Sequence, residues 1–342
     1  MRKIRAWRQI LLLAHPLNNR ERGTIRNYLS FVIVVAGLHL ANPMALAAPF
    51  AFVANGGDNT VSVIDVATSV TLARVPVGSD PVGVAIGRHA RYVYITNAVS
   101  QNISILDTES FKTPTTLAAG AAPLGIVTDP IRDRIYVADS TGGRVLVIDI
   151  KKGKTLQAFD LGGAPTGLAI DRQGRRLLVS NRDHNSVTFF DLASHKLLTT
   201  IAVGRGPLGV AIDESAKRAY VVNEKSNDIT IIDMRLMRVR YSIKVGDLPY
   251  ALAHDPKRER ALVTNQQDDS VSVIDLKNRR EIQRVMVGRA PQGIALIAAQ
   301  QQFYVLNSLS NSISVIDAQS LLVIEEIRCC NDPRALGQFI MQ

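Results

Sequence analysis

The chain is poor in the residues that most often build catalytic and metal sites. Its 342 residues include two cysteines, six histidines and one tryptophan, and aromatic residues account for 5% of the total. The cysteines and histidines form no cluster with metal-site spacing, and the sequence has no nucleophile elbow, phosphate-binding loop or Cys-x-x-Cys motif. We therefore predict no metal and no cofactor, and enzymatic activity has no motif in its support.

Positive charge is in excess, but it is unevenly distributed. The formal net charge is +10, from 40 Lys and Arg residues against 30 Asp and Glu residues. Residues 1–47 hold seven of the bases and one of the acids, which leaves 33 bases and 29 acids in the rest of the chain. The larger part is therefore mildly basic, and the placement of its charges matters more than their sum.

The first 47 residues have the order of a secretory signal. Residues 1–28 are basic, residues 29–41 form an apolar run of 13, and small residues follow at Ala45-Leu46-Ala47. We predict a signal peptide over residues 1–47, cleaved after Ala47, and a periplasmic or secreted protein. A membrane anchor is the alternative, but the run is shorter than the ~20 residues that span a bilayer. We therefore expect no stable membrane span after cleavage.

Internal repetition dominates the remainder of the chain. Three residues recur at intervals of 42, seven times each and without insertion. The first is an amide or acid, at Asn55, Asn97, Asp139, Asn181, Asn223, Asn265 and Asn307. The second is an acid, at Asp65, Asp107, Asp149, Asp191, Asp233, Asp275 and Asp317. The third is a proline, at Pro81, Pro123, Pro165, Pro207, Pro249, Pro291 and Pro333. Seven such units fill residues 49–342.

Each unit contains four segments typical of short β-strands. In one unit, residues 91–96 are rich in β-branched and aromatic side chains, and residues 103–107 alternate between apolar and polar. A third strand is less regular, and Pro123 opens a fourth. Small residues recur two positions after each proline, as at Gly83, which places the fourth strand at a crowded axis. The sequence thus predicts an all-β, seven-bladed β-propeller of four-stranded blades, forming one domain over residues 48–342.

The phase of the repeat predicts how the ring closes. The repeat region opens at Pro49, where the second strand of a blade begins, and residues 333–341 supply an innermost strand with no blade of its own. We predict that this C-terminal strand joins the N-terminal blade by ordinary β pairing. An open array would expose both of its end faces, whereas closure leaves only short edges.

The strand ends resemble the YVTN β-propeller family. Tyr94-Ile-Thr-Asn97, Tyr220-Val-Val-Asn223 and Leu262-Val-Thr-Asn265 are close to its Tyr-Val-Thr-Asn signature, and Ser62-Val-Ile-Asp65 is similar to its second segment. The resemblance covers nearly all of residues 49–342 and implies the propeller fold of exported, bacterial-type repeat proteins. It implies no catalytic residue, because the signature residues are strand ends and turns, and the fold hosts binding proteins, surface-layer-like proteins and some enzymes.

The blade topology sorts the loops onto two faces. Loops from the innermost to the second strand and from the third to the outermost strand share one face, which gathers many of the bases. We call it the basic face and predict that it includes Arg132, Arg134, Lys152, Arg175, Arg176, Arg258, Arg260, Arg279 and Arg280. Such a face suits anionic lipid, polysaccharide or, more weakly, nucleic acid, since no aromatic residues interleave with the bases. The alternative is a solvated loop surface.

The opposite face, the proline-turn face, carries the Gly-x-x-Pro turns and the loops after the repeated Asn positions. The residue after each proline differs from blade to blade although the turn around it is constant, and we expect it at the mouth of the axial channel. Residues such as Asp80 and Glu224 are expected near the same mouth. We predict a ligand site with the candidate residues Arg182, His184, Arg205, Tyr250, Arg289, Gln292 and Arg334. A mixed polar mouth suits a small polar or anionic ligand. The alternative is that these positions drifted within a structural constraint.

The two cysteines, Cys329 and Cys330, are adjacent and interrupt one of the seven proline turns. An intramolecular disulfide between them must be vicinal, and adjacent Cα atoms ~3.8 Å apart are closer than the ~4.4–6.8 Å usual for disulfides. Export favours oxidation whereas this geometry opposes it. The sequence therefore leaves open a vicinal disulfide and two free thiols.

The leading functional prediction is a monomeric, exported binding or scaffold protein that takes a small ligand or a protein partner at the proline-turn face. One alternative is a periplasmic enzyme, or an auxiliary protein of a quinone-linked dehydrogenase or lactonase-like pathway, with a site assembled across blades that a motif search misses. Another is attachment to anionic polymer, membrane or nucleic acid through the basic face.

Overall fold

The repeats fold into a ring of seven β-sheets, which a computed structural model describes over residues 49–341. Each sheet is an antiparallel blade, and the described residues contain no α-helix, only a 3-10 turn at Ser308–Ser310. Within this part of the chain no helix is long and apolar enough to cross a bilayer. The predicted signal peptide lies outside the described residues. The predicted all-β, seven-bladed propeller is confirmed.

The innermost strand of each blade begins at a repeated proline, whose missing N–H is not needed there. In blades 2 to 7, numbered in chain order, it is continuous: β4 (Pro81–Ile86), β8 (Pro123–Thr128), β12 (Pro165–Ile170), β16 (Pro207–Asp213), β20 (Pro249–Asp255) and β24 (Pro291–Ile297). In blade 1 it consists of two pieces, β28 (Pro333–Arg334) and β29 (Ile340–Met341).

The other three strands of each blade follow outward as antiparallel neighbours. The second strands end at the repeated Asn or Asp: β1 (Phe50–Asn55), β5 (Tyr92–Asn97), β9 (Arg134–Asp139), β13 (Arg176–Asn181), β17 (Arg218–Asn223), β21 (Arg260–Asn265) and β25 (Gln302–Asn307). The third strands end at the repeated Asp: β2 (Thr60–Asp65), β6 (Asn102–Asp107), β10 (Arg144–Asp149), β14 (Ser186–Asp191), β18 (Asp228–Asp233), β22 (Ser270–Asp275) and β26 (Ser312–Asp317). The outermost strands are β3 (Val70–Pro76), β7 (Lys112–Ala118), β11 (Lys154–Asp160), β15 (Lys196–Ala202), β19 (Arg238–Lys244), β23 (Arg280–Met286) and β27 (Val323–Arg328).

Apolar packing between blades forms the core. One cluster joins Tyr94 and Ile105 of blade 2 to Ile135 and Leu146 of blade 3, and all four side chains are buried. The middle strands are buried on both faces because a neighbouring blade packs against each face. The outermost strands, in contrast, are largely exposed. Removal of this apolar surface from water is the main force that holds neighbouring blades together.

The repeated polar residues fix the hairpins. Asn97 Nδ2 donates to Asn102 Oδ1 at 2.7 Å and to Ser104 Oγ at 3.0 Å, so this buried amide ties the second strand to the third. Asp107 Oδ1 accepts the backbone N–H of Ser110 at 2.8 Å and turns the chain towards the outermost strand. The Asn makes such bonds to side chains of the third strand in five of the seven blades, whereas Asn181 Nδ2 donates to Gly162 O instead.

Small residues recur along the axis because neighbouring innermost strands approach closely. A Cβ atom at Gly83 would lie 2.2 Å from the carbonyl oxygen of Leu124, and one at Gly167 would lie 2.1 Å from that of Leu208. Any larger side chain at these two positions would displace the backbone of the next blade. The predicted crowding at the axis is confirmed.

The C-terminal strand closes the ring as predicted. In β28, Arg334 pairs with Ala54 of β1, and in β29, Met341 pairs with Phe50 of the same strand. Both ends of the repeat region therefore lie in one sheet, and blade 1 joins the first strands of the repeat region to the last.

An irregularity interrupts this closing strand. Its register against β1 shifts by three residues, where the innermost strands of the other blades shift by one. The Leu336 N–H donates to Val82 O at 3.2 Å. Gly337 has a φ of +138°, and a Cβ there would lie 2.4 Å from Val84 O. We call residues 335–339 the axial bulge, because the additional residues extend from blade 1 into the axial channel.

Candidate functional site

A cavity of about 250 Å³ occupies the mouth of the axial channel on the proline-turn face. Its wall comes from all seven blades, mainly from residues next to the repeated prolines and after the repeated Asn positions, and Leu336 of the axial bulge forms its floor. We call it the mouth cavity, and it is lined by Asp80, Val82, Leu124, Ser140, Thr166, Arg182, Leu208, Glu224, Tyr250, Gln292, Arg334 and Leu336.

Two ion pairs cross from one blade to the next at this mouth. Arg182 Nη2 of blade 4 lies 2.9 Å from Glu224 Oε2 of blade 5. Arg334 Nη1 of blade 1 lies 2.7 Å from Asp80 Oδ1 of blade 2, and its Nη2 lies 2.5 Å from Asp332 Oδ2. The four charged side chains that line the cavity balance, and Asp332 adds one negative charge beside them.

Tyr250 of blade 6 lies between these pairs. Burial raises the pKa of its hydroxyl to about 12, and Arg334, Glu224 and Arg182 are close enough to influence it. The phenol is therefore protonated at neutral pH and can both donate and accept a hydrogen bond. Its hydroxyl makes no hydrogen bond with any residue of 49–341.

Further hydrogen-bonding capacity remains on the two arginines. The Nε atoms of Arg182 and Arg334 are buried and have no hydrogen-bond partner among the described residues. A buried donor without a partner loses its hydration without replacement. Together with the Tyr250 hydroxyl, these groups give the residues of the mouth cavity three polar groups that make no hydrogen bond within residues 49–341.

The structure brings four of the seven predicted ligand residues together: Arg182, Tyr250, Gln292 and Arg334 line the mouth cavity. The other three lie outside its wall on the same face. His184 packs against the Gly162–Gly163 turn, where a Cβ at Gly163 would lie 3.2 Å from its ring. Arg205 donates through Nη2 to Lys225 O at 3.2 Å, and Arg289 is exposed.

Four polar residues of the wall, Asp80, Ser140, Thr166 and Glu224, were not among the seven predicted ligand residues, and of these only Ser140 was not expected near the mouth. Ser140 follows Asp139 in blade 3, and Thr166 follows Pro165 in blade 4. Both occupy the repeat positions that identified Arg182 and Tyr250, so the same signal applied to every blade would have found them. Their short side chains did not suggest ligand contacts.

Several residues of the predicted basic face hold adjacent blades together. Arg132 Nη1 donates to Gly174 O of the next blade at 2.9 Å and lies 3.1 Å from Asp129 Oδ2. Arg258 makes the equivalent bridge, to Gln301 Oε1 at 2.8 Å and to its own Asp255. Arg176 likewise donates to Met234 O of the following blade. These guanidinium groups therefore hydrogen-bond adjacent blades to each other in addition to carrying surface charge.

The remaining bases of this face are less constrained. Arg134 contacts His195 of the next blade, and the Arg279 guanidinium lies 4.6 Å from the centre of the Tyr241 ring. Arg260 is half-buried, whereas the others of the predicted set, Lys152, Arg175 and Arg280, are exposed. The positive surface is thus smaller than the number of bases suggests.

The cysteine pair lies in the turn between blades 7 and 1, with the two sulfur atoms at the bonding distance of 2.11 Å. Cys330 occupies the place where the other six turns have glycine, and there a Cβ, at Gly288 for example, would lie 2.6 Å from the Asn307 side chain. Gly56 and Gly57 of the facing loop in blade 1 leave room for the residues after the cysteines. A Cβ at Gly57 would lie 2.4 Å from Asn331 Oδ1.

The turn is also bonded to blade 1. Cys329 O accepts from Arg74 Nη2 at 2.8 Å and from Ser62 Oγ at 3.2 Å. Both cysteines are buried, yet they line the wall of an open cavity of about 460 Å³ together with Arg74, Ser310, Asn311, Glu326 and Arg328. Among residues 49–341 no group of three or more His, Cys, Asp or Glu side chains could hold a metal ion.

Comparisons with known proteins agree on the fold. Residues 112–218, less than half of the chain, match the sequence profile of the YNCE-like beta-propeller family. No curated protein matches the sequence. The structure is similar to Kuenenia stuttgartiensis hydrazine synthase, with 22% identity and a TM-score of 0.70 over 78% of this chain and 92% of that one.

Two further structures are similar. A functionally unknown protein from Desulfotomaculum acetoxidans has 15% identity and a TM-score of 0.71, over 83% of this chain and 98% of that one. Dihydro-heme d1 dehydrogenase NirN, solved in complex with DHE, has 14% identity and a TM-score of 0.66, over 84% of this chain and 74% of that one. At these identities the likeness concerns the fold. The chain is a β-propeller similar to these proteins.

Proposed function

We propose that this protein is an exported binding or scaffold protein of the YVTN type, which takes a small polar ligand or a polar segment of a protein partner in the mouth cavity. The observation that carries the proposal is that two arginine–carboxylate pairs line the same cavity as Tyr250, whose hydroxyl makes no hydrogen bond within residues 49–341. Concave sites with a few convergent polar groups on a rigid frame are the usual form of ligand sites.

The charge balance of the mouth cavity favours one ligand class. Each guanidinium already has a carboxylate partner, so a simple anion would have to displace Glu224 or Asp80. A zwitterion, or a neutral molecule with several hydroxyl groups, can instead bridge the pairs and bond the Tyr250 hydroxyl. We therefore place small zwitterionic and polyhydroxylated molecules ahead of anions.

The alternatives have less support in the geometry. Arg132, Arg176 and Arg258 of the basic face bond the next blade, which weakens the proposal of attachment to an anionic surface. Two of the similar structures bear enzyme names, but at 22% and 14% identity they support the fold and not a reaction.

Calorimetric titration with free amino acids and neutral monosaccharides, and with citrate as the anionic probe, tests the small-ligand proposal. Tyr250→Phe removes one hydroxyl and should weaken binding of the responding probe about tenfold, the value of one well-made hydrogen bond. Arg289→Ala is the matched control, since Arg289 is exposed on the same face outside the cavity, and it should bind as the unaltered chain does.

Photo-crosslinking tests the scaffold form of the proposal. A crosslinker at Gln292, inside the mouth cavity, should capture a specific partner from the native exported fraction, and one at Arg289 should not. Capture at both positions, together with no response to any probe, would remove the mouth cavity as the binding site.

A further inference from the structure

The axial channel contains a second cavity, on the other side of the axial bulge. Its volume is about 420 Å³, within the range of small-molecule sites. Leu336 is 6% exposed and, within the described residues, is the one side chain that lines both this cavity and the mouth cavity. The axial bulge therefore divides the channel, and we call the second cavity the lower chamber.

The wall of the lower chamber is apolar for most of its depth. Side chains such as Ile126, Leu168, Val210 and Ile294 line it from the innermost strands of different blades. Ionisable groups in its lining, among residues 49–341, occur only where those strands end at the basic face. The chamber thus has an apolar interior and a polar rim that opens among the bases of that face.

Arg172 at the rim is a cation without an ion-pair partner among residues 49–341. Glu214 Oε1 accepts the backbone N–H of Arg172 at 2.9 Å, and Glu214 Oε2 lies 3.9 Å from Lys217 Nζ. The Arg172 guanidinium itself is exposed and makes no hydrogen bond or ion pair with any residue of 49–341. This differs from the mouth cavity, where both arginines are paired.

A histidine adds a second polar group at the same rim. His254 of β20 occupies a repeat position that holds an isoleucine in three other blades, as at Ile212, but Thr128 in blade 3 and Gln338 in blade 1, and these residues all line the chamber. Its ring is half-buried and makes no hydrogen bond with the described residues. The centre of the His254 ring also lies 6.0 Å from that of the Tyr220 ring. The imidazole therefore packs against blade 5 and adds one polar group to the rim of the chamber.

We propose that the lower chamber binds an amphiphilic monocarboxylate, with its alkyl or aryl body against the apolar wall and its carboxylate at the Arg172 guanidinium. The body leaves water for an apolar surface. Guanidinium and carboxylate form charge-assisted, bidentate hydrogen bonds, and His254 can bond the same head group. This inference is independent of the function proposed for the mouth cavity.

Calorimetric titration of the purified full chain with hexanoate, octanoate and decanoate tests the proposal. Affinity should rise about fourfold for each buried methylene group. Arg172→Gln should weaken decanoate binding at least tenfold. Arg175→Gln, which removes an equal charge from an exposed base outside the chamber, should change it less than twofold.

Two further titrations locate the ligand. Replacing decanoate with 1-decanol should lower the affinity at least tenfold, because the alcohol lacks the anionic head. Ile170→Phe, which narrows the chamber, should weaken decanoate binding, whereas Tyr250→Phe at the other end of the channel should not alter it. If Ile170→Phe proves unfolded by circular dichroism, the comparison of Arg172→Gln with Arg175→Gln decides.

Three results would overturn the proposal. They are the absence of decanoate binding at millimolar concentration, an affinity that does not depend on chain length, and equal losses in Arg172→Gln and Arg175→Gln. The last would mean that the acid associates with the charged surface and not with the chamber.

Discussion

The two ends of the axial channel are built from the same seven innermost strands, yet they differ in chemistry. At the proline-turn face the mouth cavity is lined by Arg182, Glu224 and Tyr250, which lie on loops or at strand starts. At the basic face the lower chamber is lined by strand residues such as Ile170 and Val210. Position within the repeat therefore sets what each cavity can hold, because strand side chains must pack between blades whereas loop side chains need not.

The largest expected effect comes from removing the closing strand, which carries the axial bulge that separates the two cavities. A variant ending at residue 332 lacks the closing strand and the axial bulge, including Phe339 and Ile340, which are at most 1% exposed. Burial of these two side chains alone is worth roughly 3–6 kcal/mol. We expect loss of the cooperative thermal transition in circular dichroism. Melting unchanged from that of the full chain would show that the ring does not need its last strand.

A smaller change should join the two cavities without opening the ring. Leu336→Ala removes most of the partition, and we expect a loss of about 2–5 kcal/mol in the free energy of unfolding, measured in urea. Decanoate affinity should change as well, since the chamber loses part of its wall. A loss below about 1 kcal/mol with unchanged binding would mean that Leu336 does not separate the cavities.

Replacement of the cysteine pair tests whether the turn between blades 7 and 1 contributes to ligand binding at either cavity. Intact mass should rise by two hydrogens on reduction. Cys329→Ser with Cys330→Ser should lower the free energy of unfolding by only about 1 kcal/mol, because the bridge closes a very short loop. Binding at both cavities should persist, since neither is lined by these residues. A constant mass, or binding lost at either end, would contradict this.

The smallest effect concerns acidity at the rim of the lower chamber. Burial lowers the pKa of His254 in the native state. In the unfolded chain the same imidazole is protonated below about pH 6.5, so the unfolded state binds this proton more readily. Stability should therefore fall as the pH drops through that range, and His254→Leu should remove this component. In urea titrations at pH 8 and pH 5, the free energy of unfolding of the variant should rise relative to that of the original chain only at pH 5. Parallel behaviour would assign the acid sensitivity elsewhere.

The sequence predicted the fold because the constraints that form it repeat. Asn97, Asp107 and Pro123 each perform one local task, and seven copies at a fixed interval leave one architecture. Closure by residues 333–341 followed from the phase. The axial bulge did not, because its extra residues become apparent only as a three-residue register shift against β1.

The candidate sites were harder to predict. Arg182, Tyr250, Gln292 and Arg334 were found from their repeat positions, but the pair of Arg182 with Glu224 joins residues 42 apart in sequence and depends on how adjacent blades pack. The lower chamber was missed because Ile126 and Leu168 have the pattern of core strand residues. The structural role of some bases on the basic face could not be predicted either, because composition counts charges and not their partners, as the bond from Arg132 to Gly174 illustrates.

The pairing of β1 with β28 and β29 also fixes an order of events during synthesis. Blade 1 contains the earliest strands of the repeat region and the latest, so it stays one strand short while blades 2 to 7 are being made. Until β28 and β29 pair with β1, the inner edge of β1 has no partner strand among the described residues. Blade 1, whose synthesis begins first, is therefore completed last. The axial channel, with the mouth cavity and the lower chamber, forms only when the whole repeat region is present.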